Sequence, residues 1–466
     1  MLARIYSGTV VGLDGINVEV EVDIVKKGFP GFTIVGLPGK AVEEAKERVK
    51  SALINSSVDF PQYRITVNLA PADVPKPGPV FDLPIAIGVL VASGQIHSHP
   101  LIEKSFFIGE LSLDGGLRRV KGVLPLVISA RDLGFENVFI PQENFEEASI
   151  VENINIVPLE KITDFIELVT GIRTFDSLST ESQNSQPANP INKLKNLVDM
   201  QEVYGQEKAK RALEIAAAGG HNVFMYGPPG SGKTLLARGL SGILPTMQKE
   251  EVVDVSKIYS VAGMLDPSNP LMNQRPFRSP HHTTSRAGLI GGGKQLDPGE
   301  ISLAHHGVLF LDEFPEFPRS VIESLRQPVE DGVVNLRRVS GAVQYPSRFM
   351  LVATSNPCPC GFYGSGDRTC TCTQYQISQY KKKLSGPIMD RIDIHIEVPR
   401  VEVDKIISGV NNSKAESTEE IRKRVQAARK IQLERYIGSE TRNNACMNNT
   451  ELKKFCSLGN QEQKMI

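Results

Sequence analysis

The chain has 466 residues, is 40% hydrophobic and carries a formal charge of −1. That length can bury two or three substantial cores, and the near-neutral balance excludes a global attraction to nucleic acid, so any DNA contact must come from local basic patches. No apolar run reaches the ~18 residues of a membrane span, Met1-Leu-Ala-Arg-Ile-Tyr6 lacks a signal-peptide core, and six cysteines, four of them clustered, do not form a secreted disulfide framework; no membrane association and a cytoplasmic location are expected.

Residues 1–172 are expected to form the first domain. Ile16-Asn-Val-Glu-Val-Glu-Val-Asp-Ile24 and Arg64-Ile-Thr-Val-Asn-Leu69 alternate apolar and polar residues, the period of a half-buried strand. Helical stretches are expected around Ala41–Leu53, Leu83–Ser93 and Leu124–Leu133. Residues 173–192 are rich in Ser, Asn, Gln and Pro, lack apolar periodicity and are expected to be a linker.

The next domain, expected over 193–400, carries the chemistry. Gly227, Pro228, Pro229, Gly230, Ser231, Gly232, Lys233 and Thr234 spell Gly-x-x-x-x-Gly-Lys-Thr between an apolar run (Asn222–Tyr226) and a helix-forming run (Leu235–Leu240). That is the strand, glycine loop and helix N-terminus of a phosphate-binding loop. The glycines let backbone N–H groups converge on phosphate oxygens, Lys233 adds a point charge for the β- and γ-phosphates, and the Thr234 hydroxyl suits Mg²⁺. Farther on, Val308-Leu-Phe-Leu311 is a buried parallel strand by composition, and Asp312 and Glu313 emerge at its carboxyl end, where open α/β sheets bind ligands. Asp312 suits the Mg²⁺ shell, and Glu313 suits a base or orienter for an attacking water. A strand ending in one surface acid is ordinary, but the pairing with a phosphate loop reads as ATP binding and hydrolysis.

Val333-Val-Asn-Leu-Arg337-Arg338 and the run to Tyr345 are two β-prone arms around Ser340-Gly341, a hairpin by pattern. Cys358-Pro-Cys360 and Cys370-Thr-Cys372 flank a nine-residue loop. Four thiolates can satisfy tetrahedral Zn²⁺ and staple a loop lacking its own core. The spacing is not the commoner Cys-x-x-Cys, so structural Zn²⁺, free thiols and a disulfide all stay open. Adjacent His281 and His282, like His305 and His306, do not share a helix face for a metal. Charged helical sequence, notably Glu419–Tyr436, fills 401–466.

Asp199-Met-Gln-Glu-Val-Tyr-Gly-Gln206 and Ala209–Asn222, together with Arg278-Ser-Pro-His-His282 and Pro298–His306, resemble the magnesium-chelatase-like subgroup of AAA+ ATPases, and within it the ComM/YifB family over nearly the whole chain. The resemblance implies an ATP-driven, hexameric motor that moves DNA branches. By position it implies that Asn356 is the sensor-1 side chain beside the γ-phosphate. Arg391 is the arginine offered in trans to a neighbour's nucleotide, with a surface pair to Asp390 or Asp393 as the plain alternative. Val203, Gly205 and Gln206 lie near the adenine. The hairpin points into the ring channel with Arg337 and Arg338 on DNA phosphates, the plain alternative being a solvated basic pair. The first domain resembles the Lon-type protease domain in its later half. Val80, Phe81 and Asp82 stand where the nucleophilic serine would be, and Arg118, with Lys121 close by, stands near the place of its lysine partner. Peptidase activity is therefore not expected. The final stretch, Leu458 to Ile466, has no counterpart of the lid helices that carry the family's sensor-2 arginine.

The expected fold is therefore α/β: a Lon-like α+β domain, then an AAA+ P-loop domain with an incomplete helical lid. The expected function is an ATPase working on branched or single-stranded DNA as a hexameric ring. The alternatives are a metal-chelatase-type motor remodelling a protein partner and a nucleotide-binding assembly protein with little turnover.

Overall fold

The computed structural model describes residues 2–26, 29–97, 99–175, 198–266, 269–293, 296–338, 341–364, 368–384, 386–401, 416–439, 441–457, 459 and 464. Most of the expected linker, the hairpin residue Ser340 and most of the final stretch from Leu458 lie outside these residues.

The amino-terminal unit is a seven-stranded mixed sheet built from β1 (Leu2–Val11), β2 (Asp14–Val25), β3 (Gly31–Val35), β4 (Arg64–Ala70), β5 (Ser105–Phe107), β6 (Asn137–Pro141) and β7 (Asn155–Leu159), in the order β3-β4-β2-β1-β5-β6-β7. The alternation in β2 does what its period dictates: Val18, Val20, Val22 and Ile24 turn into the core while Glu19 and Glu21 stay partly exposed. Helix α1 (Lys40–Glu43) is followed after one residue by α2 (Ala45–Asn55), so the expected single helix over 41–53 is broken at Glu44. At the break Ala41 O accepts from Arg48 Nη2 at 2.7 Å, a side chain occupying a carbonyl near the ladder. Helix α3 (Asp82–Ser93) is buried on every side from Asp82 to Ala92, and Gly88 is needed there because a Cβ would meet Val22 Cγ2 at 2.4 Å. Helix α4 (Val123–Asp132) covers the sheet near the β1–β2 turn, where Ser129 Oγ donates to Gly15 O at 2.8 Å.

The second unit contains α5 (Glu207–Gly219), β8 (Val223–Tyr226), α6 (Lys233–Ile243), α7 (Lys249–Ala262), β9 (Phe277–Arg278), β10 (Val308–Leu311), β11 (Val333–Arg338), β12 (Gly341–Pro346), β13 (Met350–Ser355), α8 (Gln374–Leu384), β14 (Ile394–Glu397) and α9 (Thr418–Arg435). Its five-stranded sheet has the order β9-β10-β13-β8-β14, and every pairing is parallel. Strand β13 is buried along its whole length, as a central parallel strand covered on both faces must be. Helix α9 lays Ile421 and Val425 into the core shared with α5 and α6, and Arg424 ties it to Glu214 at 2.7 Å.

The units meet across α4 and α7. Glu147, almost fully buried, accepts from Leu124 N–H at 3.1 Å, Asn144 Nδ2 at 3.2 Å and Ser260 Oγ. Gly122 N–H donates to Ser260 O at 3.1 Å and Arg119 Nη2 to Leu265 O at 2.9 Å. Gly12, at φ 67° in the β1–β2 turn, packs on the hairpin: a Cβ there would lie 2.7 Å from Val343 Cγ1. No helix among the described residues is long and apolar enough to cross a membrane.

Candidate nucleotide-binding site

Strand β8 ends at Tyr226 and the chain turns through Gly227–Gly232 into α6. Gly230 (φ 75°) and Gly232 (φ 90°) adopt the left-handed backbone that an L side chain resists. Gly227 is demanded by crowding instead, since a Cβ would stand 2.1 Å from Val398 O. Lys233 is folded back under this loop, its Nζ donating to Gly227 O at 2.7 Å, Pro228 O at 2.9 Å and Asn356 Oδ1 at 3.2 Å. Burial lowers the Lys233 pKa, with Asp312 and Glu313 opposing the shift. These are replaceable partners: a phosphate arriving at the loop offers the ammonium a charged acceptor in place of two carbonyls.

The sequence-predicted residues converge on the carboxyl edge of the sheet. Thr234 Oγ1 donates to Asp312 Oδ2 at 2.9 Å. Neighbouring oxygens of an octahedral Mg²⁺ at about 2.1 Å stand about 3.0 Å apart, so this hydroxyl and carboxylate match two adjacent corners. The other carboxylate oxygen, Oδ1, accepts from Thr354 Oγ1 at 2.5 Å and from Glu313 N–H at 3.1 Å, which locks the carboxylate plane. Glu313 has φ 51°, a strained backbone for a non-glycine residue, and its N–H also reaches Thr354 Oγ1 at 3.1 Å. Thr354 carries no motif and escapes a reading by motif. The register that sets Leu311 beside Ala353 is the signal that would have found it, because position 312 then faces 354.

Gln206 (φ 60°) donates from Nε2 to Ser231 O at 3.3 Å and Pro399 O at 2.5 Å, joining the phosphate loop to the segment after β14. Gly205 faces Val401, and Val203 is buried in the core below. Arg391 stands elsewhere. It precedes β14, which runs parallel to β8, so it lies at the amino edge of the sheet, opposite its own phosphate loop. Its guanidinium pairs with Glu330 at 2.6 Å and Nη1 donates to Pro387 O at 2.6 Å. The plain alternative of a pair with Asp390 or Asp393 is corrected: Asp393 instead accepts from Asn222 N–H at 3.1 Å and meets His221 Nδ1 at 3.3 Å.

The hairpin forms, but Gly341 pairs with Arg338 as the first residue of β12, so the connection is 339–340 and not Ser340-Gly341. Val334, Leu336 and Tyr345 anchor its base in the core, and Arg337 and Arg338 are exposed near the tip with no ion pair among the described residues. Arg278 is held by Glu300 at 2.6 and 2.7 Å. His305 and His306 do come within ligand reach of Asp254 without sharing a helix, but His305 Nδ1 already accepts from Arg348 N–H at 3.0 Å. Burial, followed by the charges of His306, Arg348 and other arginines, holds His305 well below its ordinary range. A groove of about 1090 Å³, separate from the phosphate loop, lies between Phe317–Arg326 and Gln379–Ile388.

All four clustered cysteines are free, and their sulfurs lie within 4.8 Å of one another. Cys358 Sγ is 3.3 Å from Cys360 Sγ and 3.7 Å from Cys370 Sγ, while Cys360 N–H points at Cys372 Sγ at 3.4 Å. The Phe362 backbone N–H is the largest cause of a Cys360 thiol lowered to about 5.

A family model described as magnesium chelatase, subunit ChlI, matches residues 199–406, and two further ChlI models match 20–144 and 415–466. The competence protein ComM of Haemophilus influenzae is 43% identical over 99% of this chain and 88% of its own length. The chain belongs to the ComM/YifB family. The YifB protein of Escherichia coli is 39% identical over 99% of the chain and 87% of its own. A magnesium-chelatase 67 kDa subunit of Heliobacterium mobile is 29% identical over 36% of the chain and 29% of its own. ComM/YifB membership makes the second unit a magnesium-chelatase-like AAA+ domain, a class that implies ATP and Mg²⁺.

Proposed function

We propose that this protein is a cytoplasmic ATPase that remodels branched or single-stranded DNA as a hexameric ring. The observation that carries the reading is the separation of Arg391 from the phosphate loop of its own chain, across the full depth of a parallel sheet. A guanidinium there can serve a nucleotide only from a neighbouring subunit, which makes turnover depend on assembly. The Glu330 pair holds it until a neighbour's phosphates compete.

Within one subunit the roles divide by geometry. The loop amides of Gly230–Thr234 cradle phosphate oxygens, and Lys233 turns from its carbonyls to the β- and γ-phosphates. Thr234 and Asp312, 2.9 Å apart, would hold Mg²⁺, which would supply positive charge beside the phosphate oxygens. Glu313 takes a proton from, or orients, the attacking water, and Asn356, already in contact with Lys233, fixes that water beside the γ-phosphate. Gly205 and Gln206 border the adenine, with Val203 beneath. Arg337 and Arg338 contact DNA phosphates, an electrostatic term without sequence preference. The designation of the Haemophilus relative as a competence protein supports DNA as the substrate.

The domain reading that goes with this is 1–172, linker 173–192, 193–400 and a lid over 401–466. The first domain is read as Lon-like and non-proteolytic. The surroundings of the positions compared with the protease support this reading: Asp82 is clamped by Arg48 at 2.6 Å, Val80 is buried, and Lys121 packs on Gly263. The ChlI matches favour a second reading, a chelatase-type motor acting on a protein partner.

The test is ATP hydrolysis with and without four-way-junction DNA, beside Lys233→Ala and Arg337→Ala/Arg338→Ala. Junction-stimulated turnover lost in the first variant and unstimulated in the second supports the DNA motor. Turnover indifferent to DNA favours the protein-remodelling reading, and binding without turnover reduces the protein to a nucleotide-dependent assembly factor.

A further inference from the structure

The loop over 357–373 has no core of its own: none of its residues joins any of the hydrophobic clusters among the described residues. Cys358 is fully buried, yet Tyr363 is exposed and Gly364 sits at φ 74°. Despite this, the sulfurs of Cys358, Cys360 and Cys370 are brought together with separations of 3.3, 3.5 and 3.7 Å, and Cys372 Sγ lies within 4.8 Å of each. A disulfide requires about 2.05 Å. Four thiolates around Zn²⁺ at about 2.3 Å are separated by about 3.8 Å. The cluster is therefore spaced for a shared ion and not for a pair of bridges.

The position of this loop gives the cluster a purpose. Cys358 follows Asn356 by two residues, and Asn356 Oδ1 is a partner of Lys233 Nζ. Gly361 (φ 84°), inside the first Cys-x-Cys turn through its N–H bond to Cys358 O at 2.9 Å, lies directly on the phosphate loop: a Cβ there would stand 2.5 Å from Pro229 Cγ and 4.0 Å from Asn356 Cγ. The cysteine loop is one wall of the nucleotide site.

We propose that Cys358, Cys360, Cys370 and Cys372 bind one Zn²⁺ as a tetrathiolate and that this ion holds the wall formed by Gly361, fixing Pro229 and Asn356 for nucleotide binding. The four thiols give up their protons on coordination, and no redox change is involved. The ion is remote in role from the chemistry: it positions and does not react. The inference rests on the nucleotide-binding reading of Gly227–Thr234 and is independent of DNA.

The test begins with metal analysis of the purified full chain, where one zinc per chain is expected. Zinc is then removed by chelation under reducing conditions and the affinity for a fluorescent ATP analogue measured before, after, and on return of Zn²⁺. At least tenfold weakening that zinc reverses is expected, with far-UV circular dichroism of the amino-terminal unit preserved. Cys370→Ser/Cys372→Ser should lose both zinc and affinity. Gly361→Val, in zinc-loaded protein, should keep the metal and still bind nucleotide at least tenfold more weakly, which covers the case in which metal-free protein unfolds. Folded protein without stoichiometric zinc overturns the proposal, as does zinc-loaded Gly361→Val with wild-type nucleotide affinity. Failure of zinc-loaded wild-type protein to bind the analogue would instead overturn the nucleotide reading on which the proposal rests.

Discussion

Replacing Thr354 by Val isolates the orientation of Asp312 from its charge. Thr354 is fully buried and Val matches its shape, so the change removes one hydroxyl and opens no cavity. Two bonds disappear, the 2.5 Å donation to Asp312 Oδ1 and the 3.1 Å acceptance from Glu313 N–H. Asp312 keeps Thr234 Oγ1 and Glu313 N–H, so it stays bound in place but loses the contact that fixes its plane. A hydrogen bond to a charged group contributes about 1.5–3 kcal/mol, and each ~1.4 kcal/mol is tenfold in rate. Turnover should therefore fall about 10- to 150-fold. Nucleotide affinity without Mg²⁺ should stay within about twofold, because Lys233 and the loop amides are untouched. The assay is steady-state ATP hydrolysis over a Mg²⁺ titration, with Thr354→Ser as the variant that restores the hydroxyl. Wild-type turnover in Thr354→Val, or an equal loss in Thr354→Ser, would show that Asp312 is oriented by something other than this contact.

Gly227→Ala places a methyl 2.1 Å from Val398 O and should abolish binding of an ATP analogue by equilibrium fluorescence while leaving the amino-terminal unit folded. Glu147→Ala leaves Leu124 N–H, Asn144 Nδ2 and Ser260 Oγ without their shared acceptor, and should lower stability by about 2–4 kcal/mol in urea unfolding, with Glu147→Gln costing less. Arg391→Ala should leave nucleotide binding intact and abolish turnover; if turnover survives, its Glu330 pair is only structural. Burial holds His305 and His306 below the ordinary imidazole value of 6.5, so the unfolded chain takes up protons first as pH falls. Their contribution to stability is complete above pH 6.5 and is lost below it, by about 1.4 kcal/mol per pH unit for each imidazole until its folded pKa is reached. Urea midpoints that do not change between pH 7.5 and 5.5, or that fall equally in His305→Asn/His306→Asn, would remove these histidines as the cause.

What could be read from the residues alone was whatever is local. The phosphate loop, the strand delivering Asp312 and Glu313, the arms of the hairpin and the buried helix over 82–93 are encoded in runs of a few residues with a fixed period. Contacts between distant segments were not legible. Thr354 meets Asp312 only because β10 and β13 pair in one particular register. Arg391 finds Glu330, and not its sequence neighbours Asp390 or Asp393, because the turn before β14 directs the guanidinium towards the end of another helix. The cysteine spacing alone left three chemistries open, and the sulfur separations, all well beyond a disulfide bond length, argue against only the disulfide. The break at Glu44 was hidden because a periodic pattern continues through it, while the competing donor, Arg48, comes from the next turn.

The stretch from Val333 to Cys372 is one continuous piece of chain whose parts have separate anchors. Its hairpin stands on Val334, Leu336 and Tyr345 and touches the β1–β2 turn of the amino-terminal unit at Gly12. Its strand β13 is clamped between β10 and β8 and delivers Thr354 to Asp312 and Asn356 to Lys233. Its cysteine loop then leans on Pro229. On the roles proposed above, a load on Arg337 and Arg338 would have a short covalent route to the residues that would orient Mg²⁺ and water, and the rigidity of the buried strand would decide how much of it arrives. A parallel strand buried along its full length does not bend readily, so displacement of the hairpin should act on the nucleotide through the ends of β13 and not through its middle. Loosening the segment after β13 at Gly361 should then weaken the dependence of turnover on the hairpin arginines more than loosening the anchor at Tyr345, whose hydroxyl donates to Leu296 O at 2.9 Å. A double-mutant cycle between Arg337→Ala/Arg338→Ala and each anchor separates the two, and equal coupling for both anchors would mean the hairpin acts on the site by another path.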